Sequence, residues 1–82
     1  MSNANNIIER LTVLFNNVFE GALSLEGLSM DSRLVEDLGM NSIGLLYMAM
    51  AVEEEFGVKF TNEDFSKMRA VADVVAKIQG EG

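Results

Sequence analysis

The sequence predicts a small all-α fold, a four-helix bundle of three main helices and one short one with a long first loop. Two observations carry this. Apolar residues recur at spacings of three and four in four separate stretches, the period of a helix with one buried side, and no stretch shows the strict alternation of a half-buried strand. The chain also has no Pro, and its seven Gly residues are scattered. No linker, repeat or low-complexity tract divides residues 1–82, which are expected to form a single domain.

The first helix is predicted from about Asn5 to Glu20. Ile7, Leu11, Leu14 and Val18 form its inward stripe, which Ile8, Phe15 and Phe19 widen, and Gly21 stands where a C-cap is expected. The following segment carries Gly27, Ser29, Asp31, Ser32 and Gly39 and is long for a connection. Its Leu25, Leu28, Leu34 and Leu38 are expected to pin it to the core as it crosses the bundle.

Asn41 and Ser42 supply capping side chains before a second helix over 43–56, with Leu45, Ala49, Val52 and Phe56 facing inward and Gly57 ending it. Thr61-Asn62-Glu63-Asp64 opens a short third helix whose acids suit a helix start, with Phe65 and Met68 turned inward. Val71, Val74, Val75 and Ile78 place a fourth helix over 70–79, closed by Gly80.

Composition narrows the chemistry. There is no Cys and no His, so disulfides, thiolate nucleophiles, imidazole bases and the usual zinc ligands are absent, and the chain is not expected to be an enzyme. The stretch 31–36 has Arg33 and Val35 where a calcium loop needs oxygen ligands, so no metal site is expected. Thirteen acids against six bases give a net charge of -7. Such a surface repels nucleic acid and anionic membranes and favours basic partner surfaces. The N-terminus lacks a secretory pattern and no segment has the length of a membrane span, so the expected location is cytoplasmic.

The most informative stretch is 43–52, ten residues without a charge. One core cannot cover every side of such a helix. Leu45, Ala49 and Val52 lie on the inward stripe, whereas Ile43, Tyr47 and Met48 are expected to meet a partner. Ser42 sits at the start of this helix, where backbone N–H groups lack intrahelical acceptors and the macrodipole is positive. Gly44 is expected to leave the backbone open to an approaching group. Local chemistry leaves two readings of Ser42 open, a helix cap or the seat of an anion.

The wider sequence separates them. Asp37-Leu38-Gly39-Met40-Asn41-Ser42-Ile43 resembles the Asp-x-Gly-x-Asp-Ser-Leu attachment motif of acyl carrier proteins. Met50-Ala51-Val52-Glu53-Glu54-Glu55-Phe56-Gly57-Val58 resembles the segment after that family's attachment helix, and Asn62-Glu63-Asp64-Phe65 its third helix. The resemblance covers almost the whole chain. It implies an acyl-carrier-like fold and a 4′-phosphopantetheine arm, taken from coenzyme A by a phosphopantetheinyl transferase and attached to Ser42, with Asn41, Ile43 and Gly44 flanking the site. The arm's thiol would carry acyl groups as thioesters, which accounts for a chain with no nucleophilic sulfur of its own.

Two departures from the motif, Asn41 for Asp and Ile43 for Leu, leave the attachment atom in place. Gly44 and Tyr47 stand where carriers of general fatty acid synthesis are commonly acidic. A less charged face implies a different partner set, hence a specialised carrier in a dedicated fatty-acid, lipid or polyketide-type pathway. Partner contacts are expected at Met40, Ile43, Tyr47, Met48, Glu53 and Glu54, made by acyl-loading and acyl-processing enzymes with basic or apolar docking surfaces. Leu46, Met50, Phe60, Phe65 and Met68 are expected to wall an acyl cavity, and the carrier is expected to be a monomer. Two alternatives stay open: an unmodified docking adaptor with the carrier fold, and an aminoacyl or peptidyl carrier.

Overall fold

Four stretches of the chain close into helices in the computed structural model, which describes residues 4–80: α1 (Ala4–Phe19), α2 (Ser42–Phe56), α3 (Asn62–Lys67) and α4 (Val71–Gly80). The bounds expected for α1, α2 and α4 and the start expected for α3 each fall within two residues of those observed, and the described residues contain no strand beyond one isolated bridge between Arg33 and Ala70.

The core gathers Ile7, Leu11 and Phe15 from α1, Met48, Ala49 and Val52 from α2, and Val71, Val74 and Val75 from α4. Within α1 the inward line runs at steps of four, and Leu14 is only half-buried while Val18 is exposed, contrary to expectation. Phe19 takes the place expected of Val18. Its ring meets Phe15 edge-on, centroids 6.4 Å apart, and this aromatic pair fixes which side of the last turn faces in. The helix then ends in two left-handed residues, Glu20 (φ 54°) and Gly21 (φ 80°), one residue earlier than a Gly cap requires.

The long loop behaves as a fifth packing element. Leu34, Leu38 and Met40 are buried, and Leu25 and Leu28 pack half-buried against the core. Its backbone is also bound. Leu34 N–H donates to the Arg69 carbonyl (2.9 Å), while the Ser32 and Met30 carbonyls accept from Val71 N–H (2.9 Å) and Ala72 N–H (3.0 Å). Loop carbonyls therefore satisfy the first donors of α4, groups no helix can satisfy from within. The Asp73 carboxylate takes the N–H groups of Arg69 and Ala70 (2.9 and 3.0 Å).

Polar ties fix the remaining angles. Arg10 of α1 reaches Glu55 of α2 at 3.1 Å with its guanidinium 4.3 Å from the centre of the Phe56 ring, and Lys77 of α4 holds Asp64 of α3 at 2.8 Å. No buried side-chain polar atom among the described residues lacks a partner.

Candidate functional site

The approach to α2 is a stack of turns. Asp37 and Leu38 N–H groups both donate to the Arg33 carbonyl (3.0 Å), Gly39 N–H to Val35 (3.1 Å) and Met40 N–H to Leu34 (3.0 Å). Asp37 closes the ring by accepting from Arg33 N–H at 2.8 Å, and that bond together with the Arg33 guanidinium holds its carboxyl below the usual carboxylate range. Gly39, at φ 90°, lets Leu38 and Met40 on either side of it both turn into the core. The segment before Ser42 is thereby fixed at two buried anchors.

At the helix start the two polar residues divide the work. Asn41 is the N-cap: its Oδ1 accepts from Gly44 N–H at 2.7 Å, and its carbonyl accepts from Leu45 N–H at 2.9 Å. Ser42 is the first helical residue, exposed, and among the described residues none forms a hydrogen bond with its hydroxyl. The amides of Ser42 and Ile43 precede the first intrahelical bond and lie at the positive end of the helix dipole. An anionic group on the Ser42 oxygen thus meets free amides and a favourable field, so these residues fit a phosphate ester.

Gly44 differs from expectation. It is buried, and a Cβ there would lie 3.3 Å from Asn41 Oδ1 and 3.5 Å from Phe19 Cε1. Its bare backbone serves close packing of the cap against α1 and does not open a path to Ser42.

The body of α2 shows two apolar faces. Met48, Ala49 and Val52 face the core, while Ile43 (58% exposed), Leu46 (47%), Tyr47 (56%) and Met50 (55%) stand outward at i, i+3, i+4 and i+7. Met40 and Met48, expected at the partner face, are therefore core residues, and Leu46 and Met50, expected in a cavity wall, belong to the outward stripe. Met48 lies three residues after Leu45 and four before Val52, so the spacing already placed it on the inward side. Glu54 is exposed. Glu53 is half-buried and accepts Phe60 N–H at 2.7 Å, tying the loop after α2 to the helix.

The expected cavity wall does not assemble as one surface. Phe65 and Met68 share a groove of about 360 Å³ with Val35, Glu36, Leu45, Ser66 and Arg69. Met68 also lines a second groove, of about 290 Å³, with Phe60, Asp64 and Lys77. Met50 lines a third, of about 570 Å³, with Val18 and Tyr47. Leu45 and Arg69 were missed as groove residues; the i+3 step from Ser42 to Leu45 is the signal that could have found the first. Among the described residues no group of three or more His, Cys, Asp or Glu could hold a metal ion, and no helix is long and apolar enough to cross a membrane.

Comparison with known proteins bears on this geometry directly. Residues 15–78, which include the loop, α2 and Ser42, match the family described as a phosphopantetheine attachment site. An acyl carrier protein of Rickettsia bellii is 44% identical over 55 residues, a match covering 67% of this chain and 64% of that relative. An acyl carrier protein of Nitratidesulfovibrio vulgaris is 37% identical over 59 residues, covering 72% of this chain and 78% of its own length. A solved structure of a candidate acyl carrier protein from Mycobacterium tuberculosis shares the fold with a TM-score of 0.78 at 21% identity, over 92% of this chain and 97% of its own. The chain belongs to the acyl carrier protein family, and its prosthetic group is 4′-phosphopantetheine.

Proposed function

We propose that Ser42 is the attachment point of the phosphopantetheine arm and that the chain is a monomeric cytoplasmic carrier, not an enzyme, in a dedicated fatty-acid, lipid or polyketide-type pathway. The observation that carries the reading is the division of labour at the start of α2: Asn41 caps the helix, leaving exposed a Ser42 hydroxyl that no described residue hydrogen-bonds. A serine needed as a cap would lose that role on esterification; this one loses nothing. The arm supplies a thiol that holds an acyl group as a thioester. Everything else is recognition by the chain itself.

The outward stripe Ile43, Leu46, Tyr47 and Met50, with Glu54 one turn further on, is the surface that a transferase and acyl-processing enzymes would read. Burying this stripe contributes apolar energy, while the net charge of -7 steers basic partners. Leu45, Phe65 and Met68 line the groove nearest the attachment helix's first turn and would shelter a carried acyl group.

The test is direct. Incubated with a broad-specificity phosphopantetheinyl transferase and coenzyme A, the chain gains the mass of one arm and Ser42→Ala gains none. An unchanged mass with several transferases overturns the reading in favour of an unmodified adaptor, for which the same apolar stripe would be the docking face.

A further inference from the structure

The groove between the first turn of α2 and α3 is lined by the apolar Leu45, Phe65 and Met68, the exposed Val35, and the polar Glu36, Ser66 and Arg69. Arg69 is unlike most of the chain's other cations. Arg10, Arg33, Lys67 and Lys77 each hold a carboxylate, those of Glu55, Asp37, Glu63 and Asp64. Among the described residues no acid lies within ion-pair distance of the Arg69 guanidinium. The acid four residues on, Asp73, instead takes the backbone N–H groups of Arg69 and Ala70. Ser66 Oγ–H is likewise given to the Glu63 carbonyl, so Arg69 is the donor left at the rim.

We propose that this groove receives acyl groups ending in a carboxylate, and that Arg69 is the specificity-determining residue that recognises that end. A purely hydrocarbon group would fill the floor and gain nothing from the guanidinium. A carboxylate accepts two parallel N–H bonds from it, a geometry that a lysine cannot offer. In a chain of net charge -7 an anionic cargo is repelled by most of the surface, and Glu36 on the same rim adds to that repulsion. Among the described residues Lys59 likewise forms no ion pair, but its groove also holds Glu53 and Glu54. Arg69 shares its groove with one acid, Glu36, and so makes it the more favourable place for an anion. Leu45 lies one helical turn beyond Ser42, about 5 Å along the axis, so the groove begins beside the residue that carries the arm in the reading above, on which this inference rests.

The experiment loads the full chain, using a broad-specificity transferase, with hexanoyl-coenzyme A or with adipyl-coenzyme A labelled with ¹³C at its free carboxyl. The two cargoes share a six-carbon chain and differ in the terminal carboxylate. Backbone amide shifts of Leu45, Phe65 and Met68 are expected to move with both. The free carboxyl is expected to dissociate about two- to fivefold more readily on the chain than in adipyl-coenzyme A, the range of one exposed ion pair. Arg69→Met should abolish that difference and Arg69→Lys should keep part of it. Moved amides with an identical carboxyl titration in the chain and in Arg69→Met overturn the role of Arg69, and unmoved amides in a loaded chain overturn the groove. Failure to load at all overturns the attachment reading, and the inference with it.

Discussion

Helices α2 and α3 are held in opposite ways. α3 has six residues and no fully buried side chain, and the donors at its start are closed by a capping box in which Thr61 Oγ1 accepts from Asp64 N–H and Asp64 Oδ2 accepts from Thr61 N–H, both at 3.0 Å. Polar contacts and one half-buried apolar side chain, Phe65, position it, with Lys77 clamping Asp64 from α4. α2 has fifteen residues, buries Gly44, Met48, Ala49 and Val52, and leaves the Ser42 hydroxyl without a partner among the described residues. A helix anchored by its body has a start free for other chemistry. A helix anchored by its ends does not.

The largest expected effect tests the anchoring of α2. Met48→Ala removes a fully buried side chain and is expected to cost about 2–5 kcal/mol in chemical denaturation, whereas Met50→Ala on the outward stripe should stay within about 0.5 kcal/mol. Equal losses would mean that the two faces of α2 are not distinct.

Capping is the next contrast. Asn41→Ala and Thr61→Ala each remove one capping side chain and are expected to cost about 0.5–2 kcal/mol. The costs should divide differently along the chain. Hydrogen exchange should show α3 opening locally in Thr61→Ala, because little packing holds it, while the loss in Asn41→Ala should spread over the whole bundle. Local fraying of α2 alone would contradict anchoring by its body.

The two helices also differ in how far they could be read from sequence. The short α3 announces itself through Thr61 and the acids after it, and the structure places the cap on that threonine. The start of α2 was legible as two candidate caps, Asn41 and Ser42, but only the backbone shows that the first one caps. Within α2 the difficulty was phase. Charged residues mark the outer side of an amphipathic helix, and 43–52 has none, so Met48, Leu46 and Met50 could not be separated by polarity. Counting from Leu45 and Val52 would have recovered Met48. No such count gives the groove beside Leu45, because it depends on where the long loop carries Val35 and Glu36.

A smaller effect follows from the clamp on α3. The Lys77 ammonium and then the Thr61 N–H hold the Asp64 carboxyl down at about 2. An unfolded aspartate titrates near ~3.9, so the folded state binds this proton more weakly than the unfolded state. The contribution is therefore complete above the ordinary aspartate range and is lost as pH falls from about 4 toward 2. A ¹³C titration should find the depressed value in the native chain and a rise toward the ordinary one in Lys77→Met. An Asp64 that titrates identically in both would mean that the clamp does not form.

The smallest effect is the sharpest test of the comparison. Ser42→Ala removes a hydroxyl that no described residue bonds, and it leaves Asn41 to cap Gly44 N–H as before. Its unfolding free energy should lie within about 0.5 kcal/mol of the native chain, the range of a surface change that touches no special feature. A loss as large as that of Asn41→Ala would mean that the serine shares the cap. The start of α2 would then be as closed as that of α3, and esterifying Ser42 would weaken the helix that presents it.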